Sequence, residues 1–299
     1  MKIGIVGAGA IGLSFAAALS IAHDVVLFVR RPEVAATIER DGIAVATGDE
    51  FEFVRAGASV DPAAMADRDA IVVAVKAFAT AEALAPLRGV VQPHALIASV
   101  QNGIDNVDDA RAALPGYRIA GGSTMYGAIK LADGRVRPVV NRPTIFARDN
   151  AASPTSDDLA AAFRIAGLEA SIVDDIAPVL WRKLLINAVI NPLGALARRP
   201  NGAIVEDPEL AALGRTLAEE AGAVACAAGI DLGDPWPIAE AAAHATAPNR
   251  NSMLQDGDAG RRTEIDAICG ALVRHAELHG VAVPLTRTML ALVRARERA

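Results

Sequence analysis

The 299-residue sequence predicts a two-domain α/β protein, with a doubly wound, mostly parallel sheet in its N-terminal half and an all-helical C-terminal half. Two patterns support this prediction. Short apolar runs typical of buried strands alternate with helical segments in the first half, whereas the second half has long segments of helical period and few strand signals. We therefore predict a boundary near residue 172, with domains at residues 1–172 and 173–299.

The first half opens with a predicted βαβ unit. Residues 2–6 have the pattern of a buried strand, residues 7–12 of a turn, residues 11–20 of a small-residue helix and residues 25–29 of a second strand. Further strands are predicted at residues 70–75, 95–100 and 119–120, and further helices at residues 32–41, 79–87 and 104–114. In the second half, helices are predicted at residues 175–196, 208–228, 235–246, 260–279 and 284–298.

The composition indicates a globular protein that binds small molecules. Hydrophobic residues make up 53% of the chain, enough for packed cores, and a formal net charge of -6 argues against a general nucleic-acid or anionic-membrane partner. Cys226 and Cys269 lack the spacing of a disulfide framework or a zinc site, and no third ligand accompanies the i, i+4 pair His275 and His279. We therefore predict no metal and a reducing, cytoplasmic location.

A glycine-rich turn between the first predicted strand and helix indicates a dinucleotide-binding site. In a G-x-G-x-x-G pattern, Gly7 permits the tight turn, Gly9 lets backbone amides approach a pyrophosphate, and Gly12 lets the helix pack closely on the strand. A structural glycine turn without a ligand is the alternative. The predicted cofactor-binding residues of this turn are Gly7, Ala8, Gly9, Ala10, Ile11 and Gly12.

The end of the second predicted strand favours NADP(H) over NAD(H). An NAD site places Asp or Glu there to accept a hydrogen bond from the ribose 2′-hydroxyl, but this sequence has Arg30 and Arg31. Because a guanidinium forms paired, charge-assisted hydrogen bonds to phosphate, we assign Arg30 to the 2′-phosphate. A solvated arginine pair at a strand exit is the alternative.

Two polar residues follow further predicted strands. Lys76 comes directly after the strand at residues 70–75, and Asn102 follows the strand at residues 95–100. Because open α/β sheets bind ligands at the carboxyl ends of their strands, we expect both residues to face a ligand cleft between the two halves. A surface lysine and a plain Asn-Gly turn are the alternatives.

Three polar residues recur at every fourth position of an otherwise apolar helix in the second half. Lys183, Asn187 and Asn191 form one stripe on this helix. An unpaired polar group on a buried helix costs about 1 to 3 kcal/mol, so a polar cavity facing the cofactor explains the stripe, with a solvated helix face as the alternative. We also predict that Asn191-Pro192 kinks or ends the helix, because proline lacks a backbone donor.

An acidic residue at the edge of an apolar helical arc is a second candidate. Glu264 lies at this edge, whereas Asp266 projects the other way. A carboxylate at the edge of a core needs a cation or a hydrogen-bond donor, and Lys183 is available. Helix capping or a surface position is the alternative role of Glu264.

These features occur in the order typical of the ketopantoate reductase family (2-dehydropantoate 2-reductase), which the whole chain resembles. The specific matches are the Lys183/Asn187/Asn191 stripe, the run Ser-Met-Leu-Gln-Asp that begins at Ser252, and the run Thr-Glu-Ile-Asp that contains Glu264. The chain departs from the family at the first helix-to-strand turn, which is one residue short and has Ala22 in place of the usual glycine.

The resemblance implies a Rossmann domain joined to a helical domain like that of 6-phosphogluconate dehydrogenases. It also implies NADPH-dependent reduction of 2-dehydropantoate (ketopantoate) to pantoate in pantothenate and coenzyme A synthesis. It makes Lys183 the proton donor, with Glu264 as the second catalytic residue. The cofactor residues that it implies are Lys76, Asn102, Ala128 and Glu264, and the substrate residues are Asn102, Lys183, Asn187, Asn191, Asn201 and Ser252.

The expected partner is a small-molecule keto acid, with no nucleic acid or membrane, and homodimer formation is left open. Three alternatives remain at this point, because fold-level likeness does not fix the substrate. The chain could reduce another 2-keto acid, or it could be a non-catalytic NADP(H)-binding paralogue. An S-adenosylmethionine enzyme is less favoured, since its ribose-binding acid is expected where Arg30 and Arg31 stand.

Overall fold

The computed structural model of the protein describes residues 1–149 and 151–298. The chain divides into two compact units, each of which is described by itself. The first unit consists of Met1–Gln101 and Asn106–Ile176, and the second of Asn102–Asp105 and the chain from Ala177 onward. The division lies close to the sequence-predicted boundary at residue 172, and it also assigns a four-residue segment of the first half to the second unit.

The first unit begins with strand β1 (Lys2–Val6), helix α1 (Ala10–Leu19) and strand β2 (Asp24–Phe28), as the sequence predicts. β1 and β2 pair in parallel. The other helices of this unit are α2 (Pro32–Asp41), α3 (Thr80–Leu84), α4 (Asn106–Ala113) and α5 (Ser156–Ile165). Its other strands are β3 (Ile43–Thr47), β4 (Glu50–Val54), β5 (Gly57–Ser59), β6 (Ala70–Val73), β7 (Leu96–Ser99), β8 (Arg118–Thr124), β9 (Gly127–Ala132), β10 (Arg135–Val140), β11 (Thr144–Ala147) and β12 (Ala170–Val173).

An eight-stranded sheet forms the centre of the first unit, in the order β12-β11-β8-β7-β6-β1-β2-β5. Its neighbouring strands pair in parallel except β8 and β11, which are antiparallel. The central strands β1, β6 and β7 are almost entirely buried, as expected for a parallel sheet covered on both faces. The predicted doubly wound, mostly parallel sheet is therefore confirmed.

The first unit also contains a four-stranded sheet that the sequence analysis did not predict. Its order is β4-β3-β10-β9, and α1 packs against β9 and β10. β4 alternates Glu and Phe and is largely exposed, so it lacks the continuous apolar run used to recognise the buried strands. The sheet places Ala128, one of the implied cofactor residues, on β9.

The described residues of the second unit form helices and loops without strands, in agreement with the predicted helical half. The helices are α6 (Ala177–Ala197), α7 (Ala203–Glu206), α8 (Pro208–Ala227), α9 (Pro235–Ala245), α10 (Ser252–Asp258), α11 (Ile265–His279) and α12 (Pro284–Glu297). α6 packs against α8, α9, α10, α11 and α12, so it is the central helix of this unit.

The course of α6 through Pro192 and the start of α11 bear on two of the sequence predictions. Of the two predicted effects of Asn191-Pro192, a kink or an end of the first long helix, the end is wrong, because α6 continues through Pro192 to Ala197. Pro192 and Leu193 are buried in this unit, and tertiary packing outweighs the missing backbone donor. The helix predicted from residue 260 begins only at Ile265, since Gly260 has φ +63°, outside the helical region.

α6 is long and apolar enough to cross a membrane when length and composition alone are considered, with a mean hydropathy of 1.2. However, 67% of the relevant window is buried inside the protein. Its apolar residues, including Trp181, Leu184, Leu185 and Leu193, belong to the core of the second unit. α6 therefore has the burial of a core helix.

Candidate active site

The glycine turn between β1 and α1 has the geometry that each predicted role requires. Gly7 has φ +109°, a region that favours glycine. A Cβ on Gly12 would lie 2.0 Å from the carbonyl oxygen of Gly7, so only glycine allows the helix to approach the turn this closely. A Cβ on Gly9 would meet its nearest described atom, the carbonyl oxygen of Ala74, only at 3.8 Å. Packing within the protein therefore does not require Gly9, which fits a position kept open for a ligand.

The N-terminus of α1 can receive a phosphate. Gly9 is its N-cap, so no side chain caps the helix, and its first turn contains no acidic residue among those described. The first backbone N–H groups of a helix have no partner within the helix, and their partial positive charge attracts anions. Residues Gly7 to Gly12 thus form a cradle that fits the pyrophosphate of a dinucleotide.

The two arginines after β2 have different surroundings. The Arg31 guanidinium lies 2.5 Å from Asp133 and 3.3 Å from Glu33, so two carboxylates already hold it. Within residues 1–149 and 151–298, the Arg30 guanidinium has one ion pair, at 3.3 Å to Glu82, and its side chain is 78% exposed. Arg30 is therefore the arginine with the greater freedom to bind an added phosphate group.

A buried glutamine connects the ends of β6 and β7. The Gln101 side-chain amide donates hydrogen bonds to the Val75 carbonyl oxygen at 2.9 Å and to Thr80 Oγ1 at 2.8 Å. These contacts fix the segment that contains Lys76, which precedes a short 3-10 helix at Ala77–Ala79. This role of Gln101 was not predicted, although a polar residue directly after a buried strand is a signal that could have indicated it.

The predicted polar stripe lies on α6 in the second unit. Lys183 and Asn187 are half-buried, and Asn191 is 5% exposed, so the stripe is not the solvated face of an amphipathic helix. Burial lowers the pKa of Lys183 to about 8, while the negative charge of Glu264 acts in the opposite direction. Lys183 is thus an acid whose strength suits proton transfer near neutral pH.

Glu264 is a buried residue that sits immediately before α11. Its carboxylate does not cap the helix and instead accepts a hydrogen bond from the Asn102 side-chain amide at 2.9 Å. Asp266 projects to another side of α11, where Arg262 and Arg294 pair with it. The structure therefore brings together Asn102, Glu264 and the charge of Lys183 within one unit.

The remaining predicted substrate residues lie in or next to loops of the second unit. The Asn201 side-chain amide donates to Thr246 Oγ1 at 2.9 Å, and its backbone N–H donates to the Asn249 carbonyl oxygen at 2.9 Å. Ser252 is exposed and is the first residue of α10. Asn251, which the sequence analysis did not single out, caps this helix and also reaches Asn201.

The candidate metal ligands and cysteines have other surroundings. Across residues 1–149 and 151–298, no group of three or more His, Cys, Asp or Glu is placed to hold a metal ion. His275 Nε2 lies 3.0 Å from Asp105 Oδ1, and its ring packs edge-to-face on Trp181. Cys226 and Cys269 are free thiols, and burial raises the pKa of Cys269 to about 12.

Comparisons with known proteins identify the family. The family described as "Ketopantoate reductase PanE/ApbA" matches residues 3–150, and its C-terminal counterpart matches residues 175–297. The chain belongs to the ketopantoate reductase family. This confirms the predicted family and the predicted fold class. It also confirms the predicted enzyme class, which is an oxidoreductase acting on a CH–OH group. Membership also makes the cofactor a nicotinamide dinucleotide.

Relatives of this family match along the full chain. The 2-dehydropantoate 2-reductase of Halobacterium salinarum is 32% identical, with 100% of this chain and 99% of that protein covered. The Bacillus subtilis protein of the same name is 32% identical and covers 100% of this chain and 98% of its own length. The crystal structure of a ketopantoate reductase from Ralstonia eutropha JMP134 is 32% identical, with coverage of 100% and 99% and a TM-score of 0.91.

The fold is shared with an enzyme of another name. A ternary structure of D-mandelate dehydrogenase with NADH and anilino(oxo)acetate has a TM-score of 0.91 and covers 100% of this chain and 99% of its own. Its sequence identity is only 24%, so this likeness concerns the fold alone. It illustrates that substrate identity must be argued from the site.

Proposed function

We propose that this chain reduces 2-dehydropantoate to pantoate with NADPH, as a step of pantothenate biosynthesis. The observation that carries the proposal is the half-buried Lys183, whose pKa of about 8 is set by burial and by the opposing charge of Glu264. Relatives named 2-dehydropantoate 2-reductase, which match the chain over its full length, support this activity. We also propose a cytoplasmic location, which the free thiols Cys226 and Cys269 support.

The cofactor in this proposal is NADPH. The glycine turn would hold its pyrophosphate against the N-terminus of α1, and Arg30 would bind its 2′-phosphate. Lys76 and Ala128, from the end of β6 and from β9, would contact the nucleotide elsewhere. The support for NADPH over NADH is the exposure of Arg30, whose ion pair with Glu82 is also exposed, and the presence of arginine where NAD sites place an acid.

The proton transfer in this proposal belongs to Lys183. When bound, NADPH supplies a hydride to the ketone carbon, and negative charge develops on the carbonyl oxygen. The Lys183 ammonium donates a hydrogen bond to this oxygen and then transfers a proton from Nζ. With a pKa of about 8, the amine is about nine-tenths protonated at pH 7, yet it is a stronger acid than an ordinary lysine.

Uncharged groups would hold the rest of the substrate. The amides of Asn102, Asn187, Asn191 and Asn201 offer both donors and acceptors, and the exposed hydroxyl of Ser252 offers one donor and two acceptor lone pairs. Such groups can bind a carboxylate and a hydroxyl at the same time. In this proposal Glu264 orients Asn102 through their hydrogen bond and keeps Lys183 protonated.

The direct test measures the oxidation of NADPH from the loss of its absorbance. The substrates are 2-dehydropantoate and, separately, each member of a panel of other 2-keto acids. We expect kcat/KM for 2-dehydropantoate to exceed that for each other keto acid by at least about tenfold, the discrimination that one or two specific polar contacts provide. A higher kcat/KM for another keto acid would replace the proposed substrate. No oxidation with any keto acid would contradict the proposed activity.

A further inference from the structure

A buried asparagine next to the candidate substrate residues makes three hydrogen bonds to three parts of the second unit. Asn251 Oδ1 accepts from the Leu254 backbone N–H at 2.9 Å and so caps α10. Its Nδ2 donates to the Ile190 carbonyl oxygen on α6 at 3.3 Å and to Asn201 Oδ1 at 3.4 Å. One side chain, 8% exposed, therefore joins α6, the loop containing Asn201 and the start of α10.

The sequence of α6 leaves room for this side chain. A Cβ on Gly194 would lie 2.4 Å from Asn251 Nδ2, a distance that real contacts do not allow. Glycine inside a helix is otherwise less favourable than alanine. The close approach of the Asn251 amide therefore explains why glycine occupies position 194.

Asn251 also fixes the orientation of a neighbouring amide. Asn201 Nδ2 donates to Thr246 Oγ1 at 2.9 Å, and Asn201 Oδ1 accepts from Asn251. With both ends held, the Asn201 amide has one orientation, and its donor and acceptor point in fixed directions. Without the Asn251 donor, this amide could rotate and exchange the two.

We infer that Asn251 is a positioning residue of the substrate site, which acts through the orientation of the Asn201 amide and through the placement of Ser252 at the start of α10. The inference rests on the proposed function, because it is there that Asn201 and Ser252 are assigned to the substrate. Asn251 itself needs no contact with the keto acid. Its effect is on substrate recognition and not on proton transfer.

The test uses two substitutions that both disturb the hydrogen bond from Asn251 to Asn201. One changes Asn251 itself, and the other changes Gly194, which lies against the Asn251 amide. Asn251→Asp retains an N-cap acceptor for Leu254 but replaces the donor with an oxygen that faces two other oxygens. Gly194→Ala leaves Asn251 intact but displaces its amide. For both variants we expect the KM for the keto acid to rise at least about tenfold, with kcat and the KM for NADPH within about twofold of wild type.

Asp234→Ala is the matched control, because Asp234 caps α9 in the same unit by accepting from the Trp236 N–H. We expect it to leave the KM for the keto acid unchanged. An unchanged KM for the keto acid in both test variants would overturn the inference. A fall in kcat accompanied by similar rises in the KM for the keto acid and the KM for NADPH would also overturn it. If Asn251→Asp does not yield folded protein, Gly194→Ala decides the question.

The substrate is chosen on the wild-type enzyme. The variants are measured with whichever 2-keto acid the wild type reduces with the highest kcat/KM. A preference for a keto acid other than 2-dehydropantoate contradicts the proposed function, and the ratio of variant to wild-type KM still tests Asn251. If the wild type reduces none, the same variants are assayed for the orientation of the Asn201 amide by its side-chain NMR signals, and unchanged signals in both overturn the inference.

Discussion

The Asn102 side-chain amide donates a hydrogen bond of 2.9 Å to the Glu264 carboxylate, although the two residues are 162 positions apart in the sequence. Asn102 follows strand β7 of the first unit, yet the segment Asn102–Asp105 packs with the helical unit. A residue that the strand pattern predicts for the cofactor side is therefore in direct contact with the residue that tunes Lys183. The proposed catalytic centre depends on this short segment as well as on α6 and α11.

Lys183→Ala removes the proposed proton donor. We expect kcat to fall at least about 100-fold, the usual lower range for a positioned acid, while NADPH still binds. Steady-state kinetics and a fluorescence titration with NADPH measure the two quantities. Arg182→Ala, at the exposed neighbouring position, is the control and should retain activity. Near-normal turnover of Lys183→Ala would exclude the proposed role.

The pH dependence of reduction should report the lowered pKa of Lys183. Because the ammonium form donates the proton, kcat/KM is expected to fall as the pH rises through about 8. Glu264→Gln keeps an acceptor for Asn102 but removes the negative charge that raises the pKa of Lys183. The alkaline limb of the profile should therefore move to lower pH. An unshifted limb in this variant would show that Glu264 does not act on the titrating group.

Glu264→Ala removes both the charge and the acceptor for Asn102. We expect kcat/KM for the keto acid to fall, by at least about tenfold, since a half-buried amide loses its charged partner. Asn102→Ala and the double substitution complete a cycle that measures their coupling. Additive losses of the two single substitutions would indicate that the hydrogen bond contributes nothing to catalysis.

Arg30→Ala should reduce the preference for NADPH over NADH. A guanidinium that binds the 2′-phosphate contributes charge-assisted hydrogen bonds, so we expect the ratio of the two kcat/KM values to fall at least about tenfold. The KM for NADH is the internal reference, since NADH lacks this phosphate. Arg31→Ala is the control, because Asp133 and Glu33 already hold that side chain. An unchanged ratio in Arg30→Ala would contradict the assignment.

Asp105→Asn should lower stability in a pH-dependent manner. Burial raises the pKa of Asp105, but hydrogen bonds and charges from Arg274 and His275 outweigh it and lower the pKa below the ordinary value. A carboxyl whose pKa is lowered by folding stabilises the protein above its unfolded-state pKa, and this contribution is lost as the pH falls through the folded-state pKa. At pH 7 we expect the variant to lose about 1 kcal/mol of unfolding free energy, as for a partly exposed pair.

Urea unfolding between pH 7 and about pH 2.5 measures this effect, and the gap to wild type should narrow only below about pH 4, because the folded-state pKa of Asp105 lies below the ordinary aspartate value. Asp108→Asn is the control, because Asp108 forms an exposed i, i+3 pair with Arg111. A gap that stays constant with pH would assign the loss to packing and not to the carboxylate charge.

The sequence predicted the elements whose signals are local. β1 and α2 have the predicted bounds, since an apolar run before a glycine turn and a proline at the first helical position fix them. The stripe of Lys183, Asn187 and Asn191 follows from helical period alone. These features need no knowledge of the rest of the fold.

The missed features depend on contacts between distant residues. The four-stranded sheet pairs β3 with β10, which are far apart in the chain; β10 has arginine at alternate positions, and the short apolar run of β3 does not by itself indicate its partner. The continuation of α6 through Pro192 depends on burial by neighbouring helices. Asn251 resembles any helix cap in sequence, and only the structure shows that it also reaches Asn201.

Because α6 is uninterrupted from Ala177 to Ala197, the spacing of its polar residues along the helix axis is fixed. With a rise of about 1.5 Å per residue, Asn187 stands about 6 Å and Asn191 about 12 Å along the axis from Lys183. The side chains must cover most of this distance for all three residues to contact one small keto acid. Asn187, one turn from Lys183, is therefore better placed than Asn191 to share a small substrate with the amine.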